Sequence, residues 1–190
     1  MGTTILALWL ATAVVAVLLL RERVADASLT WAIRLGIGVA IGGLSIAALM
    51  LGPTPVQRQL MSGDGVVTVV GAHSVGVPDG GPSLPLLGWS TTGGDLRIGH
   101  FLGIHALQLL SLLALLLGRF FTEPVRTRLV WVAAGTYAGL VALATWQALR
   151  GQPLLRPDGL TLAALAALLV SAGIATALVT RVRAARPVVA

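Results

Sequence analysis

Long apolar runs alternate with short polar segments along this chain. Five runs reach the length of about 20 residues that a helix needs to cross a bilayer. They cover residues 3–20, 30–51, 98–118, 129–149 and 160–180. The pattern predicts an all-α integral membrane protein in which residues 1–190 form a single domain of five transmembrane helices.

One connection between the predicted spans is much longer than the others. Residues 52–97 separate the second span from the third and are rich in Gly, Pro, Ser and Asp. A loop of this length within a compact domain is usually functional or disordered. Because it also carries valines, leucines and a tryptophan, we expect a folded cap that packs on the outer end of the bundle. Residues 63–77 are expected to contain a short strand or hairpin, and Asp95 is expected to serve as the N-cap or a first-turn acid of the helix that follows.

The composition excludes a soluble domain and several kinds of site. Hydrophobic residues make up 56% of the chain and charged residues only 11%, against about 25% charged residues in an average soluble domain. Cysteine is absent, which excludes disulfides and thiolate metal sites. All 13 basic residues are arginine, which we interpret as the coding bias of a GC-rich bacterium. They lie scattered at helix ends, so nucleic acid is not an expected partner. The expected partner is the lipid bilayer.

The arginines also predict the orientation in the membrane. If the N-terminus lies outside, nine arginines fall on the cytoplasmic side and four on the outer side. The cytoplasmic nine are Arg21, Arg23, Arg34, Arg119, Arg126, Arg128, Arg181, Arg183 and Arg186, and the outer four are Arg58, Arg97, Arg150 and Arg156. By the positive-inside rule, we expect a bacterial cytoplasmic (inner) membrane protein with its N-terminus outside and its C-terminus in the cytoplasm. The first run is expected to stay as a helix because no small-residue cleavage site follows it.

The third span contains polar residues in an otherwise apolar helix. His100, His105 and Gln108 follow directly on the long loop. Ionisable residues at membrane depth are costly and mark functional sites. On a straight helix turning about 100° per residue, these side chains occupy less than half of the circumference. We therefore expect a site at the outer end of this span, facing the bundle or the loop.

Imidazole chemistry favours a metal or haem site there. The chain has three histidines, all on the outer side, and imidazole binds both transition metals and haem. The expected site residues are His73, Asp79, Asp95, His100, His105 and Gln108. His100 and His105 alone are a weak metal pair, since they lie about 140° apart on a straight helix. In the structural alternative, His105 bonds a neighbouring helix, His100 lies at the headgroups and His73 is solvated.

Two other kinds of function stay open. In a small transporter or channel for protons or a polar solute, His105, Gln108 and Ser111 would line a path, although no interrupted span is evident. In an accessory or assembly subunit, the loop and small-residue helix faces would bind a membrane-protein partner or a second copy. Gly38 and Gly42 are expected to pack closely on a neighbouring helix of the same chain. No motif establishes an enzyme.

Residues 78–108 resemble a segment of a family of bacterial integral membrane proteins to which no activity is assigned. The matching residues are Pro78-Asp79-Gly80-Gly81-Pro82, Gly88-Trp89-Ser90, Gly94-Asp95-Leu96-Arg97 and His100-Phe101-x-Gly103-x-His105-Ala106-Leu107-Gln108. They cover about a sixth of the chain. The resemblance implies a location for the site and no reaction.

Overall fold

A computed structural model describes residues 2–22, 26–63 and 65–184. Within them the chain forms seven α-helices and two short β-strands. The helices are α1 (Gly2–Arg21), α2 (Ala27–Leu51), α3 (Pro55–Met61), α4 (Leu96–Ile104), α5 (Ala106–Leu117), α6 (Glu123–Leu149) and α7 (Gly159–Ala184). The strands are β1 (Ser74–Val75) and β2 (Gly94–Asp95).

The described helices are consistent with the predicted all-α membrane protein. Four of them, α1, α2, α6 and α7, are each long and apolar enough to cross a membrane. Helices α4 and α5 make a fifth span only if they are taken together, with a bend of 45° between them. The prediction of one straight helix over residues 98–118 is therefore wrong at His105, where α4 ends and α5 begins.

The helices form a packed centre with two peripheral members. Helices α2, α4, α5 and α6 contact one another, whereas α1 packs on α2 and α7 packs on α6. The buried core joins α2, α5 and α6 through Ala32, Leu110, Ala114, Val130 and Ala134. Helices α1 and α7 leave most of their apolar side chains exposed, as expected for surfaces that face lipid.

Helices α2 and α4 cross with their backbones in contact. A Cβ on Gly43 would lie 2.6 Å from the Cα of Gly103, and a Cβ on Gly103 would lie 2.4 Å from the Cα of Gly43. By contrast, a Cβ on Gly38 or Gly42 would meet no atom within 4 Å. The prediction that Gly38 and Gly42 pack within the chain is therefore wrong, because the face of α2 that meets α4 lies one residue further along.

Side chains from two helices stabilise the break at His105. A helix end leaves backbone carbonyls without helical partners. The Tyr137 hydroxyl, from α6, donates to the carbonyl of Leu102 at 2.7 Å. With its side-chain amide oriented to donate, Gln108 reaches the carbonyls of His105 at 3.1 Å and Ile104 at 3.3 Å. The backbone carbonyls of Leu102, Ile104 and His105 at the bend therefore have side-chain hydrogen-bond donors, and Gln108 provides two of these bonds.

We expect Tyr137→Phe to destabilise the protein by about 1 kcal/mol, because the Leu102 carbonyl then lacks its partner in an apolar interior. Thermal unfolding in detergent measures this. Thr136→Ala is the matched control, since the Thr136 hydroxyl donates within α6, to the carbonyl of Val132. Equal losses for both variants would contradict a role of Tyr137 at the break.

The long loop contains a helix that the apolar pattern does not predict. Helix α3 begins with a capping box in which Thr54 and Gln57 each bond the other's backbone N–H, and Pro55 takes the first helical position. The spacing Thr-Pro-x-Gln is a known helix-start signal. The Gln57 amide also bonds both the N–H and the carbonyl of Gly71, which ties the following segment to α3.

The rest of the loop is held by hydrogen bonds more than by apolar packing. Strand β1 pairs antiparallel with β2, with Ser74 opposite Asp95. Val66 is 86% exposed, Val69 71% and Leu86 fully exposed. Of the strand or hairpin expected at 63–77, the structure has the strand β1. The expected packing on the bundle is wrong for Val66, Val69 and Leu86, whereas Trp89 packs against Phe101 of α4. Asp64 lies outside the described residues.

Candidate functional site

Asp95 is the centre of the polar cluster at the start of α4. Its side chain is fully buried and caps the helix, as the sequence predicts, by accepting from the backbone N–H of Arg97 at 3.0 Å. The Arg97 guanidinium adds two bonds, from Nε at 3.0 Å and Nη2 at 2.7 Å. The backbone N–H of Ser90 donates the fourth, at 2.9 Å. This set compensates the cost of burying the charge.

Pairing of β1 with β2 brings His73 and Asp79 to the same place. The N–H of Leu96 donates to the carbonyl of His73 at 2.9 Å. His73 Nδ1 lies 3.4 Å from Asp79 Oδ1 and 3.7 Å from Asp95 Oδ1. Asp79 also accepts from the N–H groups of Ser74 and His73. The fold thus brings together three of the six predicted site residues.

Both carboxyl groups have lowered pKa values. For Asp95, burial is the largest single effect and raises the pKa, but the bonds from Arg97 and Ser90 and the Arg97 charge together bring it below the usual value. For Asp79, burial also raises the pKa, and the bonds from Ser74 and His73 outweigh it. Both groups are therefore carboxylates at neutral pH.

The other predicted histidines have separate surroundings. His100 Nδ1 lies 2.8 Å from the carbonyl oxygen of Gly43, so this nitrogen carries the proton and donates. The His105 ring packs edge-on against Phe101 at 4.4 Å, and Phe101 packs against Trp89 of the loop at 5.8 Å. Among the described residues, no hydrogen bond or ion pair joins either histidine to the cluster around Asp95.

The cluster is not arranged as a metal centre. Within the part of the chain that the structure describes, no group of three His, Asp or Glu side chains could hold a metal ion. Both oxygens of Asp95 already accept from Arg97, whose guanidinium supplies the positive charge that a metal would bring. Metal or haem binding through His100 and His105 stays a prediction.

The cluster also lacks the geometry of a serine nucleophile. Ser74 Oγ lies 3.2 Å from His73 Nδ1, and Asp79 approaches the same ring nitrogen. A catalytic triad needs the serine and the carboxylate on opposite ring nitrogens, so that one orients the base while the other gives up its proton. The Ser74–His73–Asp79 arrangement therefore cannot relay a proton in that way.

A small polar pocket opens beside the cluster. It measures about 180 Å³ and is lined by His73, Ser74, Gly80, Gly81, Ser83, Gly88, Ser90 and Arg97. Asp79 and Asp95 are not among the lining residues, but they bond three of them, Ser74, Ser90 and Arg97. Arg97 uses Nε and Nη2 to hold Asp95 and the Gly88 carbonyl. Its Nη1 makes no hydrogen bond within the described residues, so two N–H donors stay available at the pocket.

Arg97 and the pocket serines are the residues that sequence reasoning missed. In the sequence Arg97 belongs to the outer charges of the topology and to the segment that resembles a membrane-protein family, and neither assigns it to the site. One local signal for Arg97 was available. It lies two residues after Asp95, and an arginine in the first turn of a helix can form an ion pair with an acidic N-cap. Ser83 has no readable signal in the sequence, because the antiparallel bridge that pairs it with Ser90 depends on the fold of the loop.

Comparison with known proteins adds no further guide to function. No family model, curated protein or solved structure matches this chain. The resemblance of residues 78–108 to a membrane-protein family therefore stays a prediction, and function has to be argued from the chemistry of the site itself.

Proposed function

We propose that this protein is a five-span integral membrane protein that binds a small anionic solute, a carboxylate or an inorganic oxyanion, at its outer face. The observation that supports this most is the polar pocket, whose lining combines free guanidinium donors of Arg97 with serine hydroxyls. Oxyanions accept hydrogen bonds readily from arginine and from hydroxyl groups. At about 180 Å³, the pocket is smaller than the roughly 300–1,000 Å³ of typical drug-sized sites.

The carboxylates of Asp79 and Asp95, which bond residues of the lining, have a positioning role in this proposal. Asp95 holds the Arg97 guanidinium through two bonds, and Asp79 lies beside the imidazole of His73. A donor that is held in place before binding loses less side-chain freedom when the ligand arrives. The predicted residues His73, Asp79 and Asp95 thus keep a place in the site, with His73 in the lining.

Stabilisation of the purified protein by anions tests this function. In detergent at constant ionic strength, phosphate or acetate should raise the unfolding temperature relative to chloride, because a ligand that binds only the folded state stabilises it. In Gly81→Leu, the new Cβ meets no atom closer than 3.9 Å, so the fold should tolerate it while its side chain fills the pocket. This variant should lose the response to anions.

The control is Arg156→Gln, which removes an exposed arginine of the outer segments and should keep the full response. An anion effect that persists in Gly81→Leu, or that Arg156→Gln abolishes, would assign the binding to general surface charge. No effect from any anion at tens of millimolar would refute the proposal.

The orientation is part of the same proposal. Its support is the excess of arginine on the predicted cytoplasmic side, although Arg23, Arg186 and the side chain of Arg183 lie outside the described residues. Single cysteines at Ser62 or Thr92 should react with a membrane-impermeant thiol reagent in intact cells, and a cysteine at Thr122 should not. All three positions are exposed, and the native chain has no cysteine. The reverse labelling would place the pocket in the cytoplasm.

Transport of the bound solute is the second candidate function. The expectation that no span is interrupted is wrong, since the α4–α5 span breaks at His105, and broken spans often form substrate sites in transporters. Against transport, α4 packs tightly below the pocket, where Gly43 meets Gly103. Flux of a binding anion into liposomes, lost in His105→Leu, would support transport; binding without flux would exclude it. A role as an assembly subunit stays a prediction.

A further inference from the structure

An apolar groove lies between α5, α6 and α7, in the half of the spans away from the polar pocket. It measures about 390 Å³, and its lining includes Leu113 and Leu117 of α5, Leu129 and Leu140 of α6, and Ala172 and Thr180 of α7. The groove exists because α5 and α7 both pack on α6 and leave a cleft between themselves. No charged side chain lines it.

The length of the groove matches one leaflet of a bilayer. Along α6 its lining runs from Leu129 to Leu140, which corresponds to about 16 Å at 1.5 Å per residue. The hydrocarbon core of a bilayer is about 30 Å thick, so the groove covers about half of it. A single acyl chain of a phospholipid occupies the same depth.

One end of the groove is strongly basic. Arg119, Arg128 and Arg181 each lie within two residues of a lining residue, at the ends of the helices where lipid headgroups begin. All three are exposed, and within the described residues none of them forms an ion pair. Their neighbour Arg126 differs, since it pairs with Asp26 at 2.6 Å.

We propose that this groove binds an anionic phospholipid, with an acyl chain along α6 and the phosphate headgroup among Arg119, Arg128 and Arg181. The apolar lining accounts for the chain, and the unpaired arginines account for the negative headgroup. A soluble anion gains nothing from the apolar cleft, and a zwitterionic lipid gains little from the charge. This site is separate from the proposed anion pocket, which lies at the other end of the bundle.

Lipid-dependent stability tests the proposal on the full chain. Delipidated protein in detergent should unfold at a higher temperature after addition of phosphatidylglycerol than after phosphatidylcholine with the same acyl chains. Glycerol phosphate, which carries the headgroup charge without acyl chains, should have no effect. Basic residues at a membrane surface contribute about 1 kcal/mol each, so Arg128→Gln and Arg181→Gln should each weaken the apparent affinity for phosphatidylglycerol about fivefold.

A variant of the groove lining distinguishes the contribution of the acyl chain to binding from that of the headgroup charge. Ala172→Leu adds bulk to the lining and should weaken phosphatidylglycerol binding while leaving all three arginines in place. Arg156→Gln, at the opposite face, is the charge control and should bind like the native chain. Equal effects of the two lipids, an effect of glycerol phosphate alone, or unchanged binding in the double variant of Arg128 and Arg181 would each overturn the proposal.

Discussion

Gly43→Ala is expected to destabilise the protein by about 3 kcal/mol, the upper part of the usual range for overpacking a core. The added Cβ would lie 2.6 Å from the Cα of Gly103. That atom belongs to backbone and cannot rotate away, so α2 and α4 must separate. Separation would also stretch the bond between His100 and the Gly43 carbonyl. Reversible unfolding in detergent, followed by circular dichroism, measures the loss.

Gly42→Ala is the matched control, one residue earlier in the same helix. Its Cβ would meet no atom within 4 Å, and alanine is favoured over glycine in a helix interior by about 1 kcal/mol. We therefore expect Gly42→Ala to be neutral or stabilising. If the two alanine variants behave alike, the close crossing of α2 and α4 is refuted.

Asp95→Ala is expected to cost about 3 kcal/mol, because it removes a fully buried carboxylate that accepts four hydrogen bonds and leaves their donors without this acceptor. The Arg97 guanidinium and the backbone N–H of Ser90 would both lose their acceptor. The anion response should disappear as well, since Arg97 would no longer be held at the pocket. Asp79→Asn is the milder comparison, because the Asp79 side chain is 36% exposed. Equal losses in the two variants would count against the central role of Asp95.

The same cluster predicts the acid sensitivity of the fold. Because the pKa of Asp95 and that of Asp79 are lowered in the folded state, the unfolded chain binds more protons as the pH falls. Their contribution to stability is complete above the ordinary aspartate pKa of about 4 and is lost as the pH falls through the lowered folded values. Unfolding temperatures between pH 7 and pH 3 should show this loss.

Asp95→Asn should reduce that slope without removing it. The pKa of Asp26 is lowered by the N–H of Leu29, and that of Asp158 by Arg150, so these groups keep part of the acid sensitivity. A slope that is identical in the native chain and in Asp95→Asn would show that the Asp95 cluster does not control it.

Local patterns in the sequence predict four of the seven described helices and the cap at Asp95. The apolar runs predicted α1, α2, α6 and α7 because a helix that faces lipid must be apolar along its whole length. Asp95 was predicted as an N-cap because the preference for aspartate there depends only on the next residues of the chain. Helix α3 had an equally local signal, beginning at Thr54, that the apolar pattern does not contain.

Features that depend on distant residues were decided by the tertiary structure alone. The break at His105 has no proline at its position. The Leu102 carbonyl that it frees accepts a hydrogen bond from Tyr137, which belongs to another helix. The glycine of α2 that touches α4 depends on how the two helices are rotated about their axes, which periodicity does not determine. His73 reaches Asp95 only because β1 pairs with β2 across the whole turn region. Sequence periodicity reports the environment of one element, whereas contacts between elements depend on the packing of the whole chain.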